Sequence, residues 1–180
     1  VPFGYVQAGP TQHSRPPRGG EWCSGYNYSD SILIGFGHLH LSGTGVGDLS
    51  DISLLPVLDG AQREVLFSHD DELARPGYYS LVLGKTGIRA EMTATVHTGF
   101  HRYTFPAEAD TGKVILNLQQ GIGFDKLTDC SLQQENDTVV SGYRFSTGWA
   151  RDQKVFYCAV FSEPILHLEM EENCIGLLSF

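Results

Sequence analysis

Thr86-Gly-Ile-Arg-Ala-Glu-Met-Thr-Ala-Thr-Val-His97 decides the fold class. Along it Ile88, Ala90, Met92, Ala94 and Val96 alternate with Arg89, Glu91, Thr93, Thr95 and His97. A period of two gathers those apolar side chains on one face of an extended strand and leaves the other face wet. On either side of this stretch, apolar runs of strand length recur at Ser31-Ile-Leu-Ile-Gly-Phe36, Ile52-Ser-Leu-Leu-Pro-Val-Leu58, Tyr78-Tyr-Ser-Leu-Val-Leu83 and Lys113-Val-Ile-Leu-Asn-Leu118, then at 138–145, 154–161 and 165–168.

Gly43-Thr-Gly-Val-Gly-Asp48, Arg75-Pro-Gly77, Gly84-Lys-Thr-Gly87 and Asp110-Thr-Gly112 separate the runs and provide the backbone angles that hairpin turns require. No stretch of 10 to 12 residues carries apolar side chains at i, i+3, i+4 and i+7, although 70–73 has room for a single turn. Short strands with frequent turns predict an all-β, antiparallel β-sandwich with few or no helices, and no linker divides residues 1–180. Val155-Phe-Tyr-Cys-Ala-Val-Phe161 is apolar on both strand faces, which predicts a central strand covered by a second sheet. Trp149, just ahead of it, is expected in the core.

The chain has 180 residues, 41% of them hydrophobic and 18% charged, a composition of ordered globular proteins. Its formal charge of -9, from 21 acidic against 12 basic residues, repels phosphate backbones and argues against nucleic acid as a partner. No apolar run approaches the roughly 20 residues of a membrane span, and no leader opens the chain. Cys23, Cys130, Cys158 and Cys174 show no CxxC spacing, which argues against a zinc knuckle and for small buried or half-buried thiols, with three pairings open and also none.

His38 and His40 fall on one face of an extended segment and, with His69, form a candidate metal triad; against a cupin-like site, position 44 is Thr where a glutamate is wanted. Hydrogen-bonded structure is the competing role for such paired polar residues. Asp30, Asp48, Asp51, Asp70, Asp71, Glu91 and Asp152 offer many carboxylates but no local acid/base couple, and are expected to be solvated or turn-capping. No Gly-x-Ser-x-Gly elbow is present. Two sequons begin at Asn27 and Asn136. Trp22-Cys-Ser-Gly-Tyr-Asn-Tyr28 places aromatic rings in a loop, where they suit the flat C–H faces of sugars or the capping of one end of the core.

These pieces resemble, in order, the amino-terminal domain of glycoside hydrolase family 92. The matching stretches are Val1-Pro-Phe-Gly-Tyr-Val-Gln7, Trp22-Cys-Ser-Gly-Tyr-Asn-Tyr-Ser-Asp30, Gly35-Phe-Gly-His-Leu-His-Leu-Ser-Gly-Thr-Gly45 and Asp48 in the Gly-Asp-x-x-Asp that follows. Later come Phe67-Ser-His69, Pro76-Gly-Tyr-Tyr79, Ile88-Arg-Ala-Glu-Met-Thr-Ala-Thr95, Gly99-Phe-His-Arg-Tyr-Thr-Phe105 and Ser146-Thr-Gly-Trp-Ala-Arg-Asp152. The resemblance runs from residue 1 to about 163 and is weaker in the tail 164–180. Family members carry a further glycine-rich stretch before Val-Pro-Phe-Gly, so part of a sheet edge is expected to lie outside this chain.

The resemblance implies a supersandwich-like β-domain that packs on an (α/α)6 barrel in a calcium-dependent, inverting exo-α-mannosidase, acting on terminal α-mannosides of glycans in the periplasm or outside the cell. Both catalytic carboxylates and most ligands of the Ca2+ ion belong to the barrel, which is absent from these 180 residues, so the chain alone is expected to hold no catalytic residue and to be inactive. By position, Trp22 corresponds to a tryptophan at the active-site rim that contacts the sugar beside the cleaved bond, with Ser24, Gly25 and Tyr26 shaping that rim. His38, His40, Ser42 and Thr44 are then expected near the seam with the barrel, orienting loops rather than binding metal. The alternatives are a stand-alone mannose-binding sandwich without catalysis, and a small metalloenzyme built on His38, His40 and His69.

Overall fold

The structure, a computed structural model, describes residues 5–12, 24–41, 45–171 and 174–180. Trp22, Cys23, Ser42 and Thr44 lie outside the described residues. In chain order the strands are β1 (Gly9–Gln12), β2 (Ile32–Gly37), β3 (Ser53–Val57), β4 (Val65–Leu66), β5 (Glu72–Arg75), β6 (Tyr78–Leu83) and β7 (Ile88–Ala94). They continue with β8 (Gly99–Thr104), β9 (Lys113–Asn117), β10 (Lys126–Asn136), β11 (Val139–Thr147), β12 (Gln153–Val160), β13 (His167–Glu171) and β14 (Ile175–Ser179). Helical structure among the described residues is limited to single 3-10 turns at His69–Asp71 and Gly84–Thr86.

The strands form three antiparallel sheets, so the expected all-β sandwich is present. A seven-stranded sheet runs β1-β2-β3-β9-β14-β13, with β4 on β2; a four-stranded sheet runs β5-β6-β7-β8; a three-stranded sheet runs β10-β11-β12. Two apolar cores place the large sheet in the middle. Leu55, Val57 and Ile115 pack with Leu81, Leu83, Ile88, Ala90 and Met92 of the four-stranded sheet. Leu54, Val114, Leu116 and Leu178 pack with Leu132, Val140 and Val155 of the three-stranded sheet. Every residue of β3 is therefore buried, whichever way it points.

The alternation in β7 is realised: Ile88, Ala90 and Met92 are buried while Arg89 and Thr93 are exposed. The strand stops at Ala94, and Val96 is exposed in the turn to β8. The β5-β6 hairpin turns at Pro76-Gly77, where Gly77 takes φ 77°, a left-handed angle that costs other residues free energy.

The central placement expected for 155–161 is not what forms. β12 is an edge strand of the three-stranded sheet; Val155 points to the core, while Phe156 on the opposite face is 71% exposed. Its apolar outer side joins Tyr143 and Phe145 across β11, whose rings stack at 4.4 Å. Trp149 is 66% exposed rather than interior. The strands buried on both faces are β3 and β9, whose apolar runs are interrupted by Pro56 and bounded by Asn117, so burial was less visible in them than in 155–161.

The buried-thiol expectation also fails. Cys130 of β10 and Cys174 beside β14 form a disulfide across 44 residues, tying the three-stranded sheet to the central one, while Cys158 is free and exposed. The tail that resembled the family least is integral: β14 pairs with β9, and β13 with β14, within the central sheet.

Candidate functional site

The segment from Ser24 to Tyr28 turns between β1 and β2 and places two aromatic rings beside the four-stranded sheet. Gly25 adopts φ 76°, and a Cβ there would stand 3.3 Å from His40 Nε2, so the turn passes tightly over that imidazole. Ser24 is exposed next to it. Tyr26 reaches across to β5, where its hydroxyl donates to Glu72 Oε2 at 2.9 Å. His69 Nδ1 lies 2.6 Å from the same oxygen, and Tyr79 donates to Glu72 Oε1 at 2.6 Å. Burial, reinforced by the carboxylate they serve, pushes both phenols well above the ordinary tyrosine value. Tyr28 stacks on His69 with ring centres 4.1 Å apart. Together with Pro10 and Ala74 these residues line a pocket of about 450 Å³.

His69 therefore belongs to this pocket, and the candidate metal triad is not assembled. His38 instead faces His101 of β8, Nε2 to Nε2, at 2.9 Å. Its Nδ1 lies 2.6 Å from the Ile52 carbonyl, which can only accept, so that nitrogen carries the proton. His38 Nε2 then holds a lone pair and accepts from His101 Nε2–H, and the Tyr103 hydroxyl donates to His101 Nδ1 at 2.9 Å. Each hydrogen bond is satisfied with both rings neutral. Burial holds His38 below its usual value and His101 down to about 3. His40, also buried, is lowered to about 4. His38 is thus held by hydrogen bonds at both ring nitrogens, as paired polar residues of this kind commonly are.

A third polar group lies at the opposite side of the central sheet. Asp48 accepts the Trp149 backbone N–H at 3.0 Å and the Gln153 amide at 2.7 Å. Arg144 of β11 is fully buried, pairs through both terminal nitrogens with Asp125, donates Nε to the Leu118 carbonyl at 2.7 Å, and stands 3.9 Å from Asp51. Burial raises Asp51 to about 6, against the pull of Arg144. Between Asp48 and the start of β3, Leu49, Ser50 and Ile52 all have positive φ. Such angles cost about 1–3 kcal/mol each and persist where neighbours over-determine them; here Ser50 N–H bonds Leu39 O at 2.6 Å and His38 N–H bonds Asp51 O at 3.2 Å. Asp48 and Asp51 are buried rather than solvated, whereas Asp30, also buried, has the turn-capping role, accepting the Ile32 N–H at 3.0 Å.

Glu72, Tyr79, His101, Tyr103 and Arg144 were not singled out from sequence. A signal existed for two of them: in Gly99-Phe-His-Arg-Tyr-Thr104 alternate residues are exposed, and the inward set is Gly99, His101 and Tyr103. Gly99 is required there, because a Cβ would lie 2.8 Å from His38 Cδ2. Among the described residues no group of three or more His, Cys, Asp or Glu can hold a metal ion, and no helix is long and apolar enough to cross a membrane.

Comparison with known proteins gives these elements a context. An uncharacterized secreted glycosidase of Arthroderma benhamiae is 34% identical over 100 residues, covering 49% of this chain and 13% of that protein. The structure of a family GH92 α-mannosidase from Bacteroides thetaiotaomicron superposes with a TM-score of 0.89 at 28% identity, over 99% of this chain and 28% of that one. The same enzyme in complex with mannoimidazole gives 0.88 at 28% identity, over 99% of this chain and 27% of that one. The chain thus spans less than a third of the length of these relatives. Residues 1–173 match the glycosyl hydrolase family 92 N-terminal domain, and the chain belongs to that family.

Proposed function

We propose that this chain is the amino-terminal part of a calcium-dependent, inverting exo-α-mannosidase that removes terminal α-linked mannose from glycans. The observation that carries the reading is the match along 99% of the chain to an α-mannosidase more than three times longer. Catalysis then rests with an (α/α)6 barrel on the same polypeptide, and the sandwich lends it loop edges: Trp22, Ser24, Gly25 and Tyr26 at the rim, with His38, His40, Ser42 and Thr44 toward the seam. The neutral histidine chain and the hydrogen-bonded 48–52 segment suit that role, because a rim must be held by rigid neighbours to be specific.

A covering domain is supported by the outer face of the three-stranded sheet, where Tyr143, Phe145 and Phe156 lie together and Val160 is exposed. The outer face of the four-stranded sheet is mixed, carrying the Arg102–Glu91 ion pair beside exposed Phe100. The Cys130–Cys174 disulfide supports a periplasmic or secreted protein, since such bonds persist in oxidising compartments.

The described residues do not fit a calcium ion, which takes six to eight oxygen ligands. Asp48 and Asp51 lie close to buried Arg144, which already supplies positive charge, and no wider carboxylate cage surrounds them. Calcium is placed with the barrel, as the resemblance implies. In an inverting reaction one carboxylic acid protonates the leaving oxygen while a carboxylate roughly 6.5–9.5 Å away activates water on the opposite face. What the sandwich adds is exclusion of bulk water and orientation of the sugar beside the cleaved bond.

The test is proton NMR of an α-mannoside incubated with the complete polypeptide, with and without calcium. The account expects β-mannose as the first product and loss of turnover on chelation. First release of α-mannose would overturn the inverting assignment, and absence of hydrolysis the activity.

A further inference from the structure

We propose that the pocket between the 24–28 segment and the β5-β6 hairpin is a binding site for one neutral pyranose unit, formed by this domain alone. The pocket, at about 450 Å³, is within the usual range of small-ligand sites, and its walls are the rings of Tyr26, Tyr28 and Tyr79. Tyr28 is 71% exposed, yet one face of its ring is laid against His69. The other face is open, a flat platform of the kind that packs on the C–H face of a sugar ring.

The polar end of the pocket selects the ligand's chemistry. Both oxygens of Glu72 are already engaged by Tyr26, Tyr79 and His69. The His69 ring turns Nδ1 to this carboxylate at 2.6 Å, and its Nε2 is buried. The phenol oxygens of Tyr26 and Tyr79 donate to Glu72 and keep lone pairs that can accept from a ligand hydroxyl. Among the described residues no lysine or arginine lines the pocket to offer an anion a counter-charge, and the saturated carboxylate has little left for a cation. A ligand with an apolar face and hydroxyl donors around its edge meets all of these conditions.

The choice of a mannoside as that ligand rests on the glycan-acting reading above, whereas the pocket's preference for a neutral polyol does not. Pro10 of β1 forms one wall, so the pocket adjoins the Ser24–Tyr26 turn.

The experiment is a titration of the 180-residue chain with methyl α-D-mannopyranoside, following the His69 ring nitrogens and the Tyr28 ring by NMR. A saturable shift at both residues with a Kd of order 1 mM is expected, weakened about five-fold in Tyr28→Ala and retained in Tyr28→Phe. Tyr28 lies outside the core, so Tyr28→Ala remains folded, and its unchanged amide spectrum elsewhere verifies this. Absence of a saturable shift, or equal affinity in Tyr28→Ala, overturns the proposal. Hydrolysis of α-mannosides by the complete polypeptide is scored separately. Turnover without pyranose binding sinks this site alone, and pyranose binding without turnover sinks only the mannosidase reading.

Discussion

The imidazoles of His38 and His101 share one hydrogen bond, Nε2 to Nε2 at 2.9 Å, and burial keeps both rings neutral at pH 7. Their folded values lie below the ordinary 6.5, so the unfolded chain binds protons first as pH falls. Stability is full above about pH 6.5 and declines toward the folded values, by up to about 1.4 kcal/mol per pH unit for each ring. His40, lowered to about 4, adds to the loss. Asp51, raised to about 6, opposes it between roughly pH 6 and 4, but one carboxyl does not cancel three imidazoles. Urea unfolding at pH 7 and pH 5 should show a marked loss for the native sequence and a smaller one for His101→Gln; parallel losses would contradict the neutral pair.

Among the described residues Arg144 is the largest side chain with essentially no exposure, held between Asp125 and the Leu118 carbonyl. Arg144→Met leaves Asp125 buried without a cation and should cost about 3–5 kcal/mol, whereas Arg144→Met combined with Asp125→Asn should cost less than the two single changes added together. Denaturant midpoints measure both, and strict additivity would show that the pair is not coupled.

The disulfide between Cys130 and Cys174 closes a loop across a sequence separation of 44. On chain-entropy grounds its removal in Cys130→Ser/Cys174→Ser should cost about 4 kcal/mol, with the loss appearing in urea unfolding and also on adding a reductant to the native protein. A reductant-insensitive midpoint, or a peptide map in which Cys158 rather than Cys174 is joined to Cys130, would refute the pairing.

Much of the sandwich was legible because its signals are local. The alternation along Ile88–Met92 and the Pro76-Gly77 turn are each set by a few adjacent residues, and both formed as read. The partners of β12, by contrast, are set by topology. Phe156 looks like a core residue in sequence, and only the order of the three-stranded sheet leaves its face uncovered. The same limit governs the site. His38 was visible as a candidate, but its partner His101 is 63 residues away, brought opposite by the approach of β8 to the end of β2. Arg144 was hidden because its strand mixes apolar and polar residues with no pattern that marks a buried cation, and its carboxylate partner Asp125 lies in a separate loop.

The central claim is that these residues form a non-catalytic partner in a composite α-mannosidase. The most direct measurement is mannose release from an α-mannoside by the purified 180-residue chain beside the complete polypeptide at equal concentration. The account predicts release by the complete polypeptide only; release at an enzymatic rate by the 180 residues alone would contradict it.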